Sequence, residues 1–173
     1  MAADKRSWTI EKFHAGLNRA DFDCGSAPLN DYFKRYANQN QKLGIGSVYA
    51  AVDDEDGKTV YGYYVISSGA VNFEELPEEL SKKLPRYPVP IIRIGRLAVA
   101  LSAQGKGLGA ELLMDAVRRA CSASQDVAAF AIVVDAKDEK AAQFYEHFGF
   151  LRFQVAKQSL FLPISTARTE LLD

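Results

Sequence analysis

Between Ala27 and Gln41 the apolar side chains Leu29, Tyr32, Phe33, Tyr36 and Ala37 fall at the i, i+3, i+4, i+7, i+8 spacing of one helix face. Ser26 stands where an N-cap would, and Pro28 suits the first turn. Trp8–Phe13, Ser47–Val52 and Thr59–Ser68 are rich in β-branched and aromatic residues and predict strands, the last two joined by the acidic turn 53–57. From Asn72 to Pro90 the pattern breaks at Pro77, Pro85, Pro88 and Pro90, which predicts a long loop with one helical turn around Glu78–Leu84. Ile91–Val99 predicts a central strand, followed by a helix over Gly107–Cys121 with Leu108, Leu112, Leu113, Ala116, Val117 and Ala120 inward. Val127–Asp135 is apolar throughout until its last residue, as a strand buried on both faces should be. Lys137–His147 predicts a short helix stopped at Gly149, with Ala141, Phe144, Tyr145 and Phe148 on one side. Phe150–Val155 and Ser159–Ile164 complete the sheet, and the residues after Pro163 carry no pattern beyond that of a packed tail. The alternation of strands and helices predicts an α/β (α+β) fold.

Composition narrows this little. At 173 residues the chain is expected to be a single domain, 1–173, large enough for a proper core. No apolar run approaches the ~20 residues of a membrane helix, and the opening residues 1–6 lack a signal-peptide core. The two cysteines, Cys24 and Cys121, form no ligand-like cluster, so free thiols in a cytoplasmic protein are the expectation. A formal charge of −1 argues against indiscriminate nucleic-acid binding and leaves room for a local basic patch.

The stretch from Arg96 to Ala110 changes the picture more. It reads as a strand, a glycine-rich turn, and the start of a helix. Such a turn aims successive backbone N–H groups at one point, and the helix N-terminus adds partial positive charge, which suits a pyrophosphate. No Ser or Thr follows Gly105-Lys106, so this is not a P-loop. Gly105-x-Gly107-x-Gly109 is one residue too short for a dinucleotide fingerprint. The pattern it does match is Gln/Arg-x-x-Gly-x-Gly/Ala, over Gln104, Gly105, Lys106, Gly107, Leu108, Gly109 and into Ala110.

That pattern resembles the acetyl-CoA pyrophosphate loop of the GNAT superfamily of N-acetyltransferases, and the order of elements resembles the GNAT fold along nearly the whole chain. The resemblance implies a mixed, mostly antiparallel sheet of six to seven strands, splayed at the middle and flanked by about four helices. Several further pieces recur together: Phe22 to Phe33, Tyr61 to Tyr64 with Ser67-Ser68, Pro88-Val-Pro90, Gly95 to Val99, and Phe144 to Phe150. This ensemble resembles the GNAT toxins of bacterial type II toxin–antitoxin modules. Membership of that group implies acetylation of the α-amino group of aminoacyl-tRNA, a block of translation, a ribbon–helix–helix antitoxin as partner, and often a dimer.

Acetyl transfer to an amine needs a bound thioester, a neutral amine and a proton for the departing thiolate. By resemblance, the strand Leu97, Ala98 and Val99 pairs with the pantetheine amides, and one of its amides polarises the thioester carbonyl. Tyr145 falls on the family's general acid, on the helix that in this fold faces the splayed strands. A phenol, with a reference pKa of about 10, is protonated at neutral pH and can donate to a thiolate whose conjugate acid lies near 8.5. The residues alone equally allow a core aromatic, flanked by Phe144 and Phe148.

Strand 91–99 carries no Asp or Glu to serve as general base. A lysine ε-amine near pKa 10.4 needs one more than an α-amine near 8 does, which points to an α-amine. A base acting through water from Glu74, Glu75 or Glu146 is the alternative. The strand carries Arg93 and Arg96 instead, and Lys34, Arg35, Lys82, Lys83 and Arg86 lie on neighbouring pieces. These cations suit tRNA phosphates if they converge; solvated faces are the alternative for the lysines and for the arginines outside the strand. His14 and His147 have no partner at metal or catalytic spacing and read as structural, so no metal is expected. Two further functions remain open: acetylation of a small amine or protein N-terminus, and a non-catalytic acetyl-CoA sensor.

Overall fold

Seven strands are hydrogen-bonded into one mixed, open sheet: β1 (Trp8–Lys12), β2 (Ser47–Asp53), β3 (Val60–Val71), β4 (Val89–Val99), β5 (Ala131–Asp135), β6 (Leu151–Arg152) and β7 (Ser159–Pro163), in the order β1-β2-β3-β4-β5-β7-β6. The computed structural model describes residues 7–156 and 158–172, so the opening residues 1–6 lie outside it. Its helices are α1 (Ala27–Asp31), α2 (Ala37–Lys42), α3 (Glu78–Ser81), α4 (Leu108–Ala123), α5 (Glu139–His147) and α6 (Ile164–Glu170). The chain divides into two compact units, one of residues up to Ile66 with Arg96–Ala116, the other of Ser67–Gly95 and the residues from Val117 on.

In the first unit β1 and β2 pair antiparallel from Trp8↔Asp53 to Lys12↔Tyr49, and β2 pairs antiparallel with β3 with a bulge at Ala51/Val52. The helix anticipated over Ala27–Gln41 is present but interrupted: a π turn, Tyr32–Tyr36, joins α1 to α2, and the Ala37 N–H bonds to the Tyr32 carbonyl. The wider turn rotates Tyr36 off the buried face. Tyr36 is 50% exposed while Phe33 and Ala37 are fully buried, which corrects the periodicity reading at that residue. Ser26 makes no side-chain cap; Asn30 Oδ1 accepts from the Cys24 N–H at 2.8 Å, and Asp23 accepts from Gly25 N–H and Asn30 Nδ2 at 2.9 Å each.

The core of this unit is aromatic. Tyr63 stacks on Phe33 with ring centroids 4.6 Å apart and donates its hydroxyl to the Leu29 carbonyl at 2.6 Å. Beside it, a Cβ on Gly62 would stand 2.9 Å from the Ala98 carbonyl oxygen and 2.9 Å from Leu112 Cδ1. A backbone carbonyl cannot swing aside as a side chain can. Gly62→Ala is therefore expected to destabilise the protein by about 1–3 kcal/mol through overpacking, read as a lower urea midpoint at unchanged m-value.

In the second unit β4 and β5 run parallel from Ile91↔Ala131 to Ile94↔Val134, and there the ladder stops while β4 continues to Val99. β7 then pairs antiparallel with β5 and with β6. Val71, Leu76, Val89, Ile91, Ala131, Val133, Phe153 and Phe161 form the core on one face. The strand expected from Val127 starts only at Ala131, because the Val127 N–H is spent on the Ala123 carbonyl at the end of α4, and Val127 is 71% exposed. β6 is likewise shorter than anticipated. The supposed tail folds as α6, burying Ile164 and Ala167 on one side, so the described helical stretches number one more than expected. Both cysteines are buried free thiols.

Candidate functional site

The glycine turn is held from below. After a 3₁₀ turn at Leu101–Ala103, Gln104 Nε2 donates to the Val99 carbonyl at 3.0 Å and the Cys24 carbonyl at 3.2 Å. That brace ties the turn to the end of β4. Gly105 and Gly107 adopt φ of +78° and +82°, and a Cβ at either would meet no heavy atom within 4 Å, so the space above both is open. Gly109 lies in the first turn of α4, not in the turn itself. Leu108, Leu112 and Leu113 are fully buried and anchor the helix, and the N–H groups of a helix's first turn, lacking intrahelical partners, suit an anion. On β4, Ala98 is buried and Leu97 and Val99 are half-buried.

Tyr145 sits in the second unit, 5% exposed, its ring edge-on to Phe144 and Phe150. Among the described residues nothing bonds to its hydroxyl, and no fully buried side-chain nitrogen or oxygen lacks a partner. The hydroxyl is therefore the accessible end of an otherwise enclosed ring. Burial, and then the negative charge of Asp135, push its pKa well above that of a free phenol. Such a group keeps its proton at neutral pH and is able to donate it. Asp135 is itself held by Arg93 Nη1 at 2.7 Å and Ser159 Oγ at 2.9 Å.

The helix bearing Tyr145 starts two residues later than anticipated because Asp138 caps it, its carboxylate accepting from the Ala141 N–H at 2.8 Å. Arg152 bridges both ends of the helix, to Glu139 at 2.7 Å and Glu146 at 2.6 Å. Ala142, not Ala141, is the small residue on the buried side. Asp138→Ala is expected to cost about 1 kcal/mol of stability, measurable by urea unfolding.

The anticipated cations are divided by unit. Arg96 is exposed, with its guanidinium carbon 3.8 Å from the centroid of the Tyr32 ring. Lys34 and Arg35 are exposed on the π turn of the same unit, Arg35 paired with Asp31 at 2.9 Å. In the other unit, Lys82, Lys83 and Arg86 are exposed, Lys82 is 3.6 Å from Glu78, and Arg93 is the partner of Asp135. Of the alternative bases, Glu146 is engaged by Arg152 and Glu75 accepts from the Asn72 N–H at 3.1 Å. Among the described residues no three His, Cys, Asp or Glu side chains gather as metal ligands would, and no helix is long and apolar enough to cross a membrane.

Asp135 and the bracing side chain of Gln104 were not singled out from the sequence in these roles. The signal for Asp135 was present, as the one charge closing an apolar run.

The sequence profile of the acetyltransferase (GNAT) domain matches residues 44–152, and the chain belongs to that family of acetyltransferases. Its relatives are more particular. Over 129 residues it is 37% identical to the tRNA-acetylating toxin of Mycobacterium tuberculosis (strain ATCC 25618 / H37Rv), a match spanning 75% of each chain. AtaT complexed with acetyl-methionyl-tRNAfMet superposes with a TM-score of 0.88 at 30% identity, over 94% of this chain and 98% of that one. A tyrosine-to-phenylalanine mutant of the AtaT toxin, bound to the C-terminus of the antitoxin AtaR and acetyl-CoA, superposes with a TM-score of 0.80 at 27% identity, over 91% of this chain and 94% of that one.

Proposed function

We propose that this enzyme transfers acetyl from acetyl-CoA to the α-amino group of aminoacyl-tRNA, and that it thereby blocks translation as the toxin of a toxin–antitoxin pair. The observation that carries the substrate is the 37% identity to a tRNA-acetylating toxin. In this reading the N–H groups of Gln104–Ala110 take the pyrophosphate of the co-substrate, and the open space over Gly105 and Gly107 supports that assignment. Leu97–Val99 supply backbone partners for the pantetheine amides beyond the point where the β4–β5 ladder stops.

The neutral amine nitrogen bonds to the acetyl carbon as the carbon–sulfur bond breaks. Tyr145 gives its hydroxyl proton to the departing sulfur and recovers one from the amine through solvent. Strand β4 offers Arg93 and Arg96 where a carboxylate base would otherwise stand, which suits an α-amine that is already partly neutral. Lys34, Arg35, Lys82, Lys83, Arg86 and the two strand arginines supply charge toward RNA. A ribbon–helix–helix antitoxin is the partner, the enzyme works in the cytoplasm, where charged tRNA is found, and a homodimer would double the number of cations available to the RNA.

The test is transfer of radiolabelled acetyl from acetyl-CoA onto a pool of charged tRNA, with uncharged tRNA and polyamines as controls. Label on charged tRNA alone is expected. Label on polyamines, or none despite acetyl-CoA binding, overturns the reading.

A further inference from the structure

Tyr36 occupies a position that helical periodicity assigns to the core, yet the π turn carries its ring outward until half of the residue is exposed. π turns inside helices recur at functional sites. The Tyr36 ring remains beside that of Tyr32, centroids 6.5 Å apart and planes 32° from parallel. Over the same Tyr32 ring lies Arg96, 3.8 Å from the centroid. Tyr32 also stacks on the buried ring of Tyr63, 6.3 Å away at 15°, which in turn stacks on Phe33. The Tyr32 hydroxyl is met by Asn40 Nδ2 at 3.4 Å.

Arg35, Arg93 and Arg152 each pair with a carboxylate, whereas among the described residues none pairs with Arg96. An exposed guanidinium ordered on an aromatic ring keeps its outer face and its hydrogen-bond donors for a ligand. We propose that Tyr36 and Arg96 form a stacking platform for an unpaired base at the acceptor end of the RNA substrate, with Lys34 on the same turn meeting its phosphate. The inference rests on the aminoacyl-tRNA reading above and names the part of that substrate this surface takes. Single-stranded RNA ends present unstacked bases, and proteins hold such bases on aromatic rings and guanidinium planes. A phosphate needs only the charge of Arg96; the exposed ring of Tyr36, which shares Tyr32 as its neighbour, is what a base needs.

The experiment uses the full chain and a short single-stranded RNA bearing 2-aminopurine at its 3′ end, whose fluorescence falls on stacking. Wild type is expected to quench the probe. Tyr36→Ala and Arg96→Lys are each expected to weaken binding about tenfold, the scale of one base–aromatic stack, and to raise KM for charged tRNA by a similar factor. Tyr36→Phe keeps the ring and is expected to bind as wild type. Thermal melting of Tyr36→Ala controls for folding, and its half-exposed site predicts a melting temperature close to that of wild type. Undiminished quenching in both weakened variants overturns the platform. So does wild-type quenching by Arg96→Lys combined with a salt slope reduced by about one in Arg96→Ala, the signature of a phosphate contact. The probe reports binding independently of transfer, so a wild type that quenches it yet leaves charged tRNA unacetylated refutes the substrate reading alone.

Discussion

Tyr145→Phe is expected to bind acetyl-CoA as wild type does and to lower kcat by about 10²–10⁴-fold, the usual contribution of a general acid. The substitution removes one oxygen and leaves the ring packed on Phe144 and Phe150. Since no described residue bonds to that hydroxyl, its loss breaks no internal hydrogen bond, and stability should change little. The pH profile separates the acid from the amine. Burial and the Asp135 charge raise the phenol pKa, so Tyr145 keeps its proton through neutral and mildly alkaline pH. Wild-type kcat/KM should therefore climb as the acceptor amine loses its proton, around or below the reference value of about 8, with no fall from Tyr145 ionisation in that range. The phenylalanine variant should show the same climb at a far lower level. Single-turnover assays with saturating acetyl-CoA would read the difference, and normal turnover would remove Tyr145 from the chemistry.

Gly107→Glu is expected to abolish acetyl-CoA binding. At φ +82° a residue with a Cβ is strained by about 1–2 kcal/mol, and the new carboxylate would stand where the turn and the N-terminus of α4 otherwise favour anionic oxygens. Gly107→Ala isolates the two effects, since it adds the strain without the charge. The alanine variant should melt earlier yet retain measurable affinity by calorimetry. The glutamate variant should show no binding at the same concentrations. Wild-type affinity in Gly107→Glu would place the pyrophosphate elsewhere.

Much of this architecture was legible along the chain. The buried positions of α4, from Leu108 to Ala120, fall where the helical period puts them. The glycine turn itself follows from its spacing, although Gly109 belongs to the helix and only Gly105 and Gly107 in the turn are left-handed, and the irregular stretch between β3 and β4 is marked by its prolines. Misreadings gathered where a few residues decide. β5 begins late because the Val127 amide is committed to the end of α4, and α6 is too short for Ile164 and Ala167 to display a period.

What the sequence by itself determined was local: the strand, glycine turn and helix from Ile91 to Cys121, the alternation of elements around them, and a residue inventory of phenol, backbone donors and cations suited to acetyl transfer. These depend on hydrophobic period and on which residues tolerate a given φ, and both can be read within a dozen positions. Only the tertiary structure decided that Tyr36 turns outward, that Arg96 lies over the Tyr32 ring, that Arg93 is bound to Asp135, and that Tyr145 has an enclosed ring with an accessible, proton-retaining hydroxyl. Each of those depends on burial or on a charge brought close by chain distant in sequence, and the electrostatic environment of a side chain is set by such neighbours.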